Sequence, residues 1–167
     1  MIIRRLRSAD ATAYLELVNT TDAESDFMMQ EPGERQMTPF QLIISMNSGG
    51  NNIFVAEDNG KLIGQLVAFN MYGRNKRVIH VVHIGISILK SHWSKGVGTK
   101  LFQHMEQWAR ENGVKRLELS VMTHNERGIS LYKKMGFEIE GTKKASIFVN
   151  GKYVDEYLMS KILNIEH

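Results

Sequence analysis

The run Trp93-Ser94-Lys95-Gly96-Val97-Gly98-Thr99 carries the most specific chemistry in this sequence. It joins an apolar, β-branched stretch, Val78–Leu89, to a strongly amphipathic one beginning at Gly96. A strand, a glycine-bearing turn and a helix N-terminus together make an anion site. The first amides of a helix have no intrahelical acceptor, and the helix dipole adds partial positive charge there. Glycine lets a phosphate come close to the backbone. The expected ligand is therefore a phosphate-bearing cofactor. The plainer alternative is that Gly96 and Gly98 only shape a tight turn. Lys95 either adds charge near a phosphate or stands in solvent, as does Lys100. Trp93 either packs beside the ligand or anchors the turn.

A second set of residues could move protons. His83 lies in the apolar run, and its ordinary pKa near 6.5 suits proton transfer. With Val82 and Ile84 beside it, it also fits a hydrogen-bonded sheet histidine; His80 is a weaker candidate on the same stretch. A bulge at Gly85 would change which of these faces meet a substrate. Glu118 stands between Leu117 and Leu119, so it points to the opposite face of a strand, as a base, a water holder or a solvent-facing residue. Asn125 and Tyr132 are about two helical turns apart and share a face. Asn125 suits a helix N-cap, and Tyr132 suits a half-buried aromatic with a polar tip. Phe27, Met28 and Met29 could line an apolar pocket or fill core. Asp22, Glu24 and Asp26 could draw a cationic amine or form a solvated acidic loop. His104 and His124 lack ligand-like spacing, and no metal site is expected.

The elements that must position these groups are readable. Ile2–Arg7 predicts a first strand. Asp10 is a plausible N-cap for a helix to about Asn19, followed by an irregular stretch over 20–37. Thr38-Pro39 opens a second helix, Phe40–Asn47. Asn52–Glu57 and Leu62–Met71 predict a hairpin about Asp58-Asn59-Gly60-Lys61. Val78–Leu89 is the central strand. Gly96–Asn112 is the central helix, with Val97, Leu101, Phe102, Met105, Trp108 and Ala109 on one face and Gly113 as its stop. A strand through Leu117, Leu119 and Val121 and a helix over Asn125–Met135 follow. Phe137–Ile139, Ala145–Val149 and Tyr153–Ser160 complete the sheet around an Asn150-Gly151 turn. The order is β-α-α-β-β-β-α-β-α-β-β, one α/β (α+β) domain over residues 1–167.

Composition is consistent with this. The chain has 167 residues, 43% hydrophobic and 23% charged, which suits one domain with one sizeable core. A net charge of +3 spread along the chain favours an anionic cofactor and gives no concentrated basic face for nucleic acid. No apolar run is long enough to span a membrane, and the N-terminus lacks the apolar core of a signal peptide. There is no cysteine, hence no disulfide and no thiol nucleophile. A cytoplasmic protein is expected.

Two spaced motifs give the sequence a family likeness. Trp93-Ser94-Lys95-Gly96-Val97-Gly98 aligns with the Gln/Arg-x-x-Gly-x-Gly/Ala turn of the GCN5-related N-acetyltransferase (GNAT) superfamily, with Trp93 where Gln or Arg is usual. Asn125-Glu126-Arg127-Gly128-Ile129-Ser130-Leu131-Tyr132, followed by Lys133-Lys134-Met135-Gly136-Phe137, resembles its second signature. The likeness covers essentially the whole chain and its element order. The C-terminal segments are similar to those of bacterial members that acetylate amino-acid α-amines, and also to polyamine and phosphinothricin acetyltransferases.

The resemblance implies a mixed, mostly antiparallel sheet, splayed between its fourth and fifth strands and flanked by helices. It implies acetyl-CoA as co-substrate, with pantetheine along Ile86, Ser87 and Ile88 and pyrophosphate on the amides of Ser94–Thr99. It gives Asn125 a pantetheine contact, Tyr132 the role of proton donor to the departing thiolate, and backbone near Ile88 the oxyanion donor. The residues themselves leave His83 or Glu118 as the candidate base and Phe27, Met28 and Met29 as the candidate substrate-binding residues. The expected acceptor is a small primary amine, first an amino-acid α-amine. A polyamine, an antibiotic-like amine or a protein N-terminus are alternatives, and a non-catalytic acyl-CoA sensor is one from another class. No nucleic-acid or membrane partner is expected; a homodimer is possible through the C-terminal strands.

Overall fold

Strand β1 (Ile2–Arg5) leads through a 3-10 turn at Ser8–Asp10 into helix α1 (Ala11–Glu24). Helix α2 (Pro39–Asn47), the hairpin of β2 (Asn51–Asp58) and β3 (Lys61–Phe69), and strand β4 (Val81–Ile88) follow. Helix α3 (Val97–Glu111), strand β5 (Arg116–Met122) and helix α4 (Glu126–Lys134) come next. The hairpin of β6 (Glu138–Val149) and β7 (Lys152–Ile162) closes the chain. The structure, a computed structural model, describes residues 1–164. All these strands share one sheet in the order β1-β2-β3-β4-β5-β7-β6. Neighbours are antiparallel except β4 and β5, which are parallel. The expected single-domain α/β architecture is therefore present.

Strands β4 and β5 share only three register pairs: Val81 with Arg116, Val82 with Leu117, and His83 with Glu118. Beyond them β4 stays bonded to β3 as far as Ile88, and β5 to β7 as far as Met122. The sheet thus splits where expected. The Leu89 amide donates to the Ile63 carbonyl at 2.9 Å. Because ladder bonding alternates along a strand, the amides and carbonyls of Ile86 and Ile88 face the split.

Helix α3 lays its apolar stripe on one face of the sheet. Val97, Leu101, Phe102, Met105 and Ala109 are buried against Leu66, Leu117, Leu119 and Met159, with Trp108 at the margin. Each large side chain so buried contributes roughly 1.5–3 kcal/mol. Helices α1 and α2 cover the other face through Tyr14, Val18 and Leu42 on Ile53 and Val55. These two layers hold β4 between them and fix the start of α3 beside the split.

Several boundaries and one cap differ from expectation. Helix α1 continues past Asn19 to Glu24, with Thr20 and Thr21 returning their hydroxyls to the carbonyls of Glu16 and Val18. Asp10 does not cap α1 with its side chain; its carboxylate accepts from the Arg7 amide and from Arg4. Strand β4 begins at Val81, because the amides of Val78 and Ile79 turn back to the Asn75 carbonyl. The two pieces expected at Phe137–Ile139 and Ala145–Val149 are one strand, Glu138–Val149, whose register shifts after Ile139 and after Lys143.

Candidate functional site

The site begins at the N-terminus of α3. Gly96 caps the helix at φ +79, in the left-handed region, and Ser94 precedes it at φ +58. The Trp93 indole N–H donates to the Ile88 carbonyl at 2.8 Å, tying the turn to the end of β4. Trp93 thus anchors the turn while also lining the cleft at the sheet's split. Lys95 donates to the Ser91 carbonyl at 2.8 Å, which keeps its charge on the turn's own backbone. The first helical amides, from Val97 to Thr99, precede the reach of intrahelical bonding. Gly98 has a packing reason for its identity: a Cβ there would stand 2.7 Å from Leu131 Cδ2 and 3.4 Å from Ile88 Cδ1.

Two cations reach this end that the sequence did not single out. Lys134 donates to Thr99 Oγ1 at 3.4 Å, and the Arg127 guanidinium lies 3.2 Å from the Trp93 ring centroid. Burial pulls the Arg127 pKa down from its ordinary value. Both residues belong to α4, so only the tertiary contact of α4 with the turn reveals them.

The split between β4 and β5 opens into a cleft of about 860 Å³. Every expected site residue except Lys95 lines it, including Phe27, Met28, Met29, Glu118 and Tyr132. Asn125 both lines the cleft and caps α4, accepting from the Gly128 amide at 3.0 Å. The Tyr132 ring packs on Phe102 and Phe137 with centroid separations of 5.8 and 6.3 Å. Burial pushes its phenol up to about 12.

At the vertex of the split, His83 Nδ1 lies 4.0 Å from Glu118 Oε1. That nitrogen is buried and has no hydrogen-bond partner, so His83 is not the satisfied sheet histidine that was the plain alternative. Burial lowers its pKa, a change partly opposed by the charge of Glu118. The imidazole is therefore neutral near pH 7. Glu118 is 5% exposed, which rules out the solvent-facing alternative. It accepts from Arg116 Nε at 2.9 Å, and the outer edge of Arg116 bonds Glu140 at 2.8 and 2.6 Å. Arg116, with help from Ser160, holds the Glu140 carboxyl down at about 2. His80 precedes β4, and its carbonyl accepts the Lys115 and Arg116 amides.

The register of β3 on β4 runs unbroken through Gly85, so no bulge turns His83 away. His83, Gly85 and Ser87 share one face of β4. The Ser87 hydroxyl meets Thr21 Oγ1 and Gln65 Nε2, each at 3.1 Å, and Gln65 in turn accepts from the Tyr14 hydroxyl. Among the substrate candidates, Phe27 packs on His124 at 5.1 Å, Met28 is half-buried and Met29 is exposed. The acidic trio does not form a free funnel. Asp22 is buried against Arg35, Glu24 accepts the Lys90 amide at 2.7 Å, and Asp26 accepts from Asn150 at the tip of the β6–β7 hairpin at 3.2 Å.

A mixed sheet split beside a glycine-capped helix, with strand amides facing the split, is the α/β architecture that the family likeness implies. Residues 18–137 match the model of the Acetyltransferase (GNAT) family, and the chain belongs to that family. It is 39% identical over 113 residues to the L-amino acid N-acetyltransferase AaaT of Escherichia coli K12. That alignment covers 65% of this chain and 66% of AaaT, just under two thirds of the relative's length. The crystal structure of the acetyltransferase of GNAT family from Streptococcus pneumoniae superposes with a TM-score of 0.92 at 30% identity, covering 98% of this chain and 99% of that one. The fold is shared as well by yncA of Salmonella typhimurium, solved with its cofactor acetyl-CoA, at TM-score 0.87 and 20% identity over 100% and 96% of the two chains.

Proposed function

We propose that this chain transfers the acetyl group of acetyl-CoA to the primary amine of a small metabolite, first among them an amino-acid α-amine, by direct attack in a ternary complex. The observation that carries this is the single cleft running from the α3 amides to His83 and Glu118. Its parts suit the co-substrate. The amides of Val97–Thr99, with Lys134 beside them, suit pyrophosphate, and the amide and carbonyl of Ile86 with the Ile88 amide offer the split a strand edge for pantetheine. Asn125 stands on the same wall. Acetyl-CoA supplies the activated acyl group.

The remaining chemistry belongs to the chain. An alkylammonium must lose a proton before it can attack, and neutral His83 accepts that proton directly or through a water. With Nδ1 beside Glu118, a proton on Nδ1 leaves the lone pair on Nε2. Glu118, fixed by Arg116, steadies the imidazolium that results. The Ile88 amide, facing the split, donates to the oxygen on which charge develops. Tyr132, protonated at neutral pH, delivers a proton to the departing sulfur. The cleft has apolar lining in Phe27 and Met28, which suits an amino acid with an apolar side chain. The same proposal places the enzyme in the cytoplasm and pairs two copies along the exposed edge of β6.

The test is CoA release from acetyl-CoA across a panel of amino acids, spermidine, phosphinothricin-like compounds and short peptides, against a no-amine control. Release confined to amino acids supports the proposal. Release confined to polyamines or peptides overturns the acceptor class, and acetyl-CoA binding without release on any amine favours a sensor.

A further inference from the structure

We infer that Arg35 is a carboxylate anchor, which makes the acceptor an α-amino acid and not the corresponding simple amine. Arg35 has this role only if the acetyl transfer proposed above holds.

Between Glu31 and Gln41 every residue is exposed except Arg35, which turns inward and lines the cleft. The loop thus sends a cation toward the site where an apolar side chain would have served to fasten it. The guanidinium is aimed by Asp22, on the last turn of α1, whose carboxylate is 1% exposed. Nε of Arg35 contacts Asp22 Oδ2, and Nη2 donates to Oδ1 at 3.2 Å. A guanidinium carries five N–H donors in a rigid planar fork. Two are spent on Asp22, and the other three have no acceptor among the described residues. A buried carboxylate that holds one edge of an arginine still leaves its fork able to take a second carboxylate.

The other cleft cations are differently placed. Lys143 is paired with Glu156 at 3.7 Å, while Arg127 and Lys134 stand at Trp93 and Thr99, at the phosphate end. Arg35 is left for the acceptor end, near Tyr14 and in the same cleft as His83, Gly85 and Ser87. Gly85 keeps that face low: a Cβ there would press on Val67 Cγ1 at 3.3 Å. A zwitterion fits these charges, with its ammonium toward His83 and Glu118 and its carboxylate toward Arg35. A polyamine would bring a second cation against Arg35, which electrostatics disfavours.

The deciding experiment compares steady-state kinetics on the best amino-acid acceptor and on its decarboxylated amine, in the wild type, Arg35→Lys and Arg35→Gln. An Asp22→Asn/Arg35→Gln double variant leaves no unpaired charge at the buried position, so a folding defect in the single variant cannot decide the result. The expected outcome is a KM for the amino acid raised on the order of 10- to 100-fold in Arg35→Gln and in the double variant, the loss of charge-assisted hydrogen bonds. The kcat stays within a few-fold and the KM for the amine does not rise. Equal losses on both acceptors would mean that Arg35 only pins the loop, and would overturn the inference while leaving acetyl transfer intact. Wild-type turnover of the amine as efficient as that of the amino acid overturns it as well. Turnover of neither, nor of any other amine, is instead the failure of the proposed transfer.

Discussion

His83 and Glu118 are the last paired residues before β4 and β5 part, and their side chains meet at 4.0 Å on the cleft side of that pair. The position is defined by two backbones at once. A base placed there is held by the closed part of the sheet and faces the open part.

Replacing His83 with Gln should lower kcat/KM on the order of 10²- to 10⁴-fold, the usual span of a lost general base. Acetyl-CoA affinity, read by calorimetry, should not change, because His83 lies away from the α3 amides. A loss of cofactor binding in parallel with rate would refute the assignment.

The pH profile gives a separate check. Burial depresses the His83 pKa, so the acidic limb of kcat/KM should lie below about 6.5. Glu118 acts in the opposite sense, so Glu118→Gln should move that limb to still lower pH. A depressed pKa also means that the histidine's stability contribution is complete above about 6.5 and is lost as pH falls through its folded value. Urea melts between pH 7 and 5 should show this slope in the wild type and less of it in His83→Gln.

For Tyr132→Phe, a kcat reduced on the order of 10²-fold is expected, with a melting temperature close to that of the wild type. The ring contacts with Phe102 and Phe137 survive the substitution, and only the hydroxyl is removed. Unchanged turnover would remove Tyr132 from the chemistry and leave it a core aromatic.

The two glycines of the turn should fail in different ways. Gly98→Ala pushes a methyl group against Leu131, an overpacking that costs roughly 1–3 kcal/mol. Leu131→Ala in the same chain should restore part of that loss, a coupling that a double-mutant cycle in denaturant would measure. Gly96→Ala meets no neighbour but is held at φ +79, so it should cost about 1–2 kcal/mol regardless of residue 131.

Much of the frame was legible because its signals are local. The apolar stripe of α3, the Gly96 and Gly98 turn, and the Asn125–Tyr132 spacing are each local, and the structure packs the first on the sheet and brings the other two to one cleft. What sequence could not give depended on distant partners. The Val78–His80 stretch reads as strand by composition, yet Asn75 and Asn70 capture its backbone as a turn. The thread through β6 is hidden by its two register shifts and by Ala145 at φ +49. Arg35 sits among polar loop residues with nothing local to mark it, and only buried Asp22 reveals its direction. The Arg116–Glu118 pair spans alternate residues of one strand, but its use depends on His83 from another.

The alternation along β4 has one more consequence. From Gly85 to Ile88 this strand is interior by position but a border by bonding, with one flank paired to β3 and the other, apart from the Trp93 indole on the Ile88 carbonyl, paired to no strand. Protein surfaces normally disguise such borders, since an unpaired flank invites foreign strands. Here the border lines a cleft whose other walls come from α1, α3 and the β6–β7 hairpin, so it does not lie open on the surface. In the proposed complex pantetheine supplies the missing partner, and the protein should then melt at higher temperature with acetyl-CoA, by about 2.7 kcal/mol of added stability at a hundredfold excess over Kd.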